Sequence, residues 1–141
     1  MVSFKKFEKK ERSSFSYWYN HWKAYNYVAW KLGVWKVKYL FHDMEKPWLK
    51  LVWGDYQRVK KWHREHNDHH IAYGRLHGLN KMDWLAAIID WECSRYTKIA
   101  APRTARQEVM AMLSDDNVNY SPNEKIEIRK NCLPILNMLG L

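Results

Sequence analysis

Residues 80–97, NKMDWLAAIIDWECSRYT, constrain the fold of this chain more than any other segment. Trp84, Leu85, Ile88, Ile89, Trp91 and Tyr96 recur at helical spacing and cover most of a helix circumference, the pattern of a helix enclosed by others. Asp90 stands in the middle of it. An unpaired carboxylate there would be strongly penalised by desolvation, so the fold must supply a metal ion, a histidine or an arginine, or, in the plainer reading, a Trp or Tyr hydrogen bond. Asp83, Ala86, Ala87, Ser94 and Thr97 share the Asp90 face. They are all small or polar, which lets another helix or an ion come close.

The remainder reads as helix. Five Gly and four Pro leave few turns, and no strand-period alternation is convincing. A first helix starts from a Ser13 or Ser14 cap and runs to about Leu32, stopped by Gly33; His21 lies in its apolar stripe. A second covers about Val34 to Phe41 and delivers His42-Asp43 at its end. A short segment follows from Pro47 to Trp53. Asp55 caps a third helix to about His66, and Asn67-Asp68 reads as a turn or kink. A short helix follows from His69 to His77. The central helix opens at Asn80 or Asp83, and another runs from Pro102 to about Leu113. Ser121-Pro122-Asn123-Glu124 starts a last helix to about Leu139, which Pro134 kinks. The expected fold is all-α, a bundle of about six or seven helices. The 141 residues suit one domain, burying roughly two-thirds of the unfolded surface. Residues 1–12, polar and charged, read as a flexible N-terminus before a single helical domain at 13–141.

Several function classes are disfavoured. Cys93 and Cys132 form no C-x-x-C pair, so a zinc knuckle or redox motif is not expected. The N-terminus lacks the apolar core of a signal peptide, and no run of about 18 apolar residues exists. A cytoplasmic protein that does not span a membrane is the expectation. The net charge is +9, and residues 31–64 hold nine Lys or Arg against three acids. A basic rim attracts phosphate, nucleotide or nucleic acid; a solvated face is the plainer reading.

The seven histidines all lie between positions 21 and 77. Neutral imidazole and carboxylate are ligands for divalent transition metals, so the ordered series His21, His42-Asp43, His63, His69-His70 and Asp90 points to a metal centre. Alone, His21 reads more simply as a core histidine. Adjacent His42 and Asp43 at a helix end can turn toward one ion. Lys46, three residues on, lies beside the same site and can hold a phosphate oxygen. Were the helix to persist beyond His66, His63, His66 or Asn67, and His70 would share a face. A surface cluster is the alternative. His66 and His77 are the bystanders.

The order His … His-Asp … Asp on separate helices resembles the HD superfamily of metal-dependent phosphohydrolases. His-Asp-Met-Glu-Lys at 42–46 is similar to the His-Asp-x-Gly-Lys element of its HD-GYP group, but Glu45 replaces the Gly and no GYP element follows. A closer similarity is to a small, poorly characterised HD-like family of bacteria and phages, with His-Asp-x-x-Lys, Trp-x-His and Asn-x-His-His. Here these are Lys46, Trp62-His63 and Asn67-Asp68-His69-His70, with Asp90-Trp91 later. The resemblance spans about residues 18–98. It implies an HD-like bundle in which His21, His42, Asp43 and Asp90 hold one ion, and His63 with His69 or His70 adds a second. The HD-type 5′-nucleotidases carry a Glu where this chain has Lys46, a departure from that pattern.

The implied activity is hydrolysis of a phosphomonoester or phosphodiester, a nucleotide first among them, with one or two ions of Mn, Fe, Zn, Ni or Co, or Mg. Asp43 and Lys46 would be catalytic, and Lys46, Lys50 and Arg64 would bind the substrate. Two alternatives stand beside it: a non-catalytic module binding nucleotide, nucleic acid or protein on the same scaffold, and a di-iron oxygenase-like centre.

Overall fold

Helix α5 (Lys81–Thr97) lies at the centre, with Ala87, Ile88, Ile89 and Cys93 fully enclosed. The computed structural model of the chain describes residues 14–98 and 102–141, and is all-α over them, with seven α-helices and one short 3-10 helix. The expected flexible N-terminus, 1–12, falls outside the described residues.

Helix α1 (Ser14–Lys31) packs along α5 through Ala24, Tyr25, Val28 and Ala29. Small residues on both helices, Ala24 and Ala29 on α1 and Ala86 and Ala87 on α5, are buried in the core, and the Tyr25 hydroxyl donates to Ala86 O at 3.3 Å. Helices α6 (Ala105–Leu113) and α7 (Pro122–Leu139) pack on each other and on α5, closing the core with Val109, Met112, Ile128, Cys132 and Leu136. Burying side chains of this size stabilises by about 1.5–3 kcal/mol each. Between α1 and α5 in sequence come the 3-10 helix (Val37–Phe41), α2 (Glu45–Trp53), α3 (Tyr56–His66) and α4 (Ile71–His77). Helix α2 touches both α1 and α3, and α3 touches α4, so this layer joins the rest of the fold through α1.

Local chemistry sets the boundaries. Asn80 and Asp83 are both used: they form a capping box on α5. Ser121 and Glu124 do the same for α7, which continues through Pro134. Four expected boundaries are corrected. The helix expected over 34–41 is only a five-residue 3-10 helix. Gly33, at φ +73°, lets Val34 N–H fold back onto Ala29 O at 3.0 Å, and Lys36 stays extended. The segment expected from Pro47 begins at Glu45, because proline's missing N–H costs nothing in the first turn. Helix α4 starts at Ile71, after an extended His70. The helix expected from Pro102 starts at Ala105, where Thr104 and Gln107 make a capping box.

Candidate metal centre

Helices α1 and α5 bring His21 and Asp90 together, with His21 Nε2 2.8 Å from Asp90 Oδ1. The end of the 3-10 helix delivers His42, whose Nε2 is 3.2 Å from His21 Nε2 and 3.3 Å from Asp90 Oδ1. Asp43 Oδ2 completes the group, 3.5 Å from His42 Nε2 and 3.8 Å from His21 Nε2. The His42 ring stacks on Tyr25 at 3.7 Å between centroids, so the core aromatic holds it flat. Burial pushes the His42 pKa down to about 4, with Asp43 and Asp90 opposing, so its imidazole is neutral at pH 7. Burial alone would raise the Asp90 pKa, but His21 and His42 hold it well below the usual carboxylate range.

Asp43 adopts φ +56°, the only positive φ of a non-glycine residue among those described. Aspartate is one of the few L-residues to visit this region, and the strain marks a position fixed by its surroundings. Its two oxygens face different groups. Oδ2 faces His21 and His42 and also accepts from Lys46 Nζ at 2.6 Å. Oδ1 faces His63 Nε2 at 2.9 Å and His69 Nε2 at 3.3 Å. Burial would raise Asp43, but His42, Lys46, His63 and His69 around it hold its pKa well below normal. Burial would likewise lower Lys46, and the Asp43 charge outweighs it and raises the ammonium.

His63, His69 and His70 form the second group, all three rings within 5.2 Å of one another. The chain builds it by ending α3 at His66: Asn67 turns extended, and its amide donates to His63 O and Glu45 Oε1, each at 3.0 Å. The turn or kink expected at Asn67-Asp68 is present, so the single face of His63, His66 or Asn67, and His70, which required the helix to persist, does not form. A loop carries His69 and His70 inward instead. Glu45 meets His63 Nδ1, leaving Nε2 to point at Asp43. Burial would lower His63, but Asp43 and Glu45 raise its pKa, whereas burial takes His70 down to about 2.

The donor set fits divalent cations. Metal bonds of about 2.0–2.2 Å place neighbouring donors roughly 3–3.5 Å apart, close to the spacing around His21, His42, Asp43 and Asp90. Asp43 Oδ1 and the Nε2 atoms of His63, His69 and His70 are buried without an aligned hydrogen-bond partner, a costly arrangement that a cation among them would relieve. His21, His42, Asp43 and Asp90 are one group that can hold an ion, and His63, His69 and His70 another.

A cavity of about 300 Å³ opens onto both groups, walled by Tyr17, Lys46, Tyr56, Lys60, Arg64 and Lys98. Four cations at one mouth favour an anionic ligand. The cleft continues past Arg64 and Lys98 toward Glu108 and Tyr120.

All seven residues of the sequence series thus meet in one place. Both His69 and His70 enter, His69 toward Asp43 and His70 toward the cavity. Lys46 lines the cavity but pairs with Asp43. Arg64 lines it too, whereas Lys50 donates to Gly54 O and lies outside it, in the neighbouring groove. His66 is exposed and stacks on Trp62; the side chain of His77 is outside the described residues. Sequence reasoning missed Glu45 as the partner of His63, and Lys60 and Lys98 as cavity walls. Helical spacing carried the latter signal: Tyr56, Lys60, His63 and Arg64 share one face of α3, and Lys98 follows Asp90 and Ser94 at intervals of four. Comparison with protein-family models, with curated proteins and with solved structures gives no match.

Proposed function

We propose that this protein is a metal-dependent phosphohydrolase of HD type, acting on a phosphomonoester or phosphodiester, with nucleotides the class that the resemblance implies. The observation that carries the reading is Asp43, one carboxylate oxygen turned to each of two groups of imidazoles. His21, His42, Asp43 and Asp90 would hold one divalent ion, and His63, His69 and His70 with the other oxygen of Asp43 a second. Bound there, such ions supply Lewis acidity toward a phosphoryl oxygen and a water of lowered pKa. The chain's own residues do the rest. Neutral His42 and His70 keep lone pairs available without prior deprotonation. Lys46 neutralises charge beside Asp43, and Lys60, Arg64 and Lys98 gather the anion at the mouth.

Purified protein supplied with Mn²⁺, Fe²⁺, Zn²⁺ or Ni²⁺ tests this by elemental analysis, together with phosphate release from a panel of nucleotides and generic phosphoesters. No bound metal ends the metal reading. Bound metal with nucleotide affinity but no phosphate release supports a binding module. A carboxylate between two imidazole groups also suits a di-iron oxygenase-like centre, which iron content and a visible absorption band would identify.

A further inference from the structure

A second depression adjoins the cavity over the metal cluster. It measures about 590 Å³, and Phe15, Trp18, Pro47, Trp48 and Leu51 form its apolar wall. Lys46 and Tyr56 line both spaces, so the two meet at this pair. Lys46 Nζ is 2.6 Å from Asp43 Oδ2, which puts the junction at the cluster itself. The groove's side chains are exposed: Phe15 is 59%, Trp48 69% and Leu51 79% accessible. Apolar surface of this kind beside a polar centre marks a ligand or partner site.

The lining chemistry narrows the occupant. Among the described residues that line the groove there are two lysines, Lys46 and Lys50, and no carboxylate, carboxamide or imidazole. The other end of the cleft, past Arg64 and Lys98, carries the Glu108 carboxylate and Tyr120. Beside the two ammoniums, the described lining offers few hydrogen-bonding groups, the Tyr56 hydroxyl and the Trp18 and Trp48 indoles, whereas Phe15, Trp18, Trp48 and Tyr56 offer ring surfaces on which a base-like ring stacks with about 1–3 kcal/mol each.

We propose that this groove binds the planar aromatic substituent of the phosphoester whose phosphoryl group lies at the metal cluster, reading it by its faces and not by its edges. The inference rests on the phosphohydrolase reading and adds to it a place and a chemistry for the substituent. A nucleobase would enter without selection among bases, and a phosphoester lacking a ring would lose this contact.

Equilibrium binding of two non-hydrolysable phosphonates tests it, with Mn²⁺ supplied. Wild-type protein should bind 1-naphthylphosphonate at least about tenfold more tightly than methylphosphonate, a ratio matching one stacked ring. Trp48→Ala and Leu51→Glu should bring the two affinities to within about threefold, and both sites are exposed enough for the fold to tolerate them. Val118→Glu, at a 90% exposed position outside the groove, should keep the preference. Equal affinity in the wild type, or a preference that survives both groove variants, overturns the inference and leaves the phosphohydrolase reading standing. If neither phosphonate binds, the phosphoester reading fails and this inference with it.

Discussion

Glu45 holds the Nδ1 side of His63, so that His63 Nε2 faces Asp43 Oδ1 at 2.9 Å. A carboxylate on the far nitrogen fixes tautomer and ring orientation and raises the basicity of the near one, the arrangement common behind metal-binding histidines. Glu45 therefore acts on the second group of imidazoles through His63.

Removing that support should be felt at one ion only. Glu45→Ala is expected to weaken one of two metal equivalents by about 10–100-fold, while the other stays. Titration of metal-free protein followed by elemental analysis reads the stoichiometry. Glu45→Gln, which keeps an acceptor for His63 Nδ1–H, should recover part of the loss. Equal loss of both equivalents would count against the separation of the two groups.

Asp43 is shared, so its substitution should be felt everywhere. Asn tolerates the left-handed backbone that Asp43 adopts at φ +56°, but it carries no charge. Asp43→Asn should abolish high-affinity metal uptake while far-ultraviolet circular dichroism stays helical. Asp43→Ala adds backbone strain of about 1–2 kcal/mol, and its melting temperature should fall below that of Asp43→Asn.

Acid should destabilise the metal-free protein. His42 titrates at about 4 in the fold and at about 6.5 when unfolded, so the unfolded chain takes up a proton between these values that the folded chain refuses. The stability tied to neutral His42 is complete above pH 6.5 and is lost as pH falls toward 4. At about 1.4 kcal/mol per pH unit, the fall from pH 7 to 5 costs about 2 kcal/mol from His42. His70, at about 2, acts in the same direction. His63 acts in the opposite one: its raised pKa contributes stability that is full below 6.5 and lost as pH rises through the folded value. Urea unfolding at pH 7, 6 and 5 measures the sum. Bound metal should hold the midpoint above that of the metal-free protein at each pH.

Glu92 predicts a purely structural effect. It is 4% exposed, accepts from Ala105 N–H at 2.8 Å and pairs with Arg95 at 2.9 Å, tying α5 to the start of α6. Glu92→Ala leaves that buried amide without a partner and should cost about 1–3 kcal/mol. The urea midpoint should drop while metal stoichiometry stays unchanged. A change in stoichiometry would show that the α5–α6 contact reaches the centre.

Much of this protein was written locally. Asn80 and Ser121 cap where their sequences say they should, and the all-round apolar pattern of 80–97 became the central helix. Capping and periodicity depend on neighbours within one or two turns, so the chain alone declares them. The need of Asp90 for a partner was equally legible, because burial penalises a bare carboxylate in any fold. Which partner it found was not. His21 and His42 reach it across 69 and 48 positions of sequence, and that pairing exists only because α1 packs on α5 and the 3-10 helix turns inward. Glu45 could not be read as the support of His63, since a first-turn acid looks the same in sequence whether or not a distant imidazole faces it. The turn at Asn67-Asp68 was legible from its residue types, but its direction was not: the contact of Asn67 with Glu45 accompanies an extended turn that brings His69 and His70 to Asp43. Residue types set what chemistry was available, and long-range packing, whose energy local sequence does not contain, decided which of those residues meet.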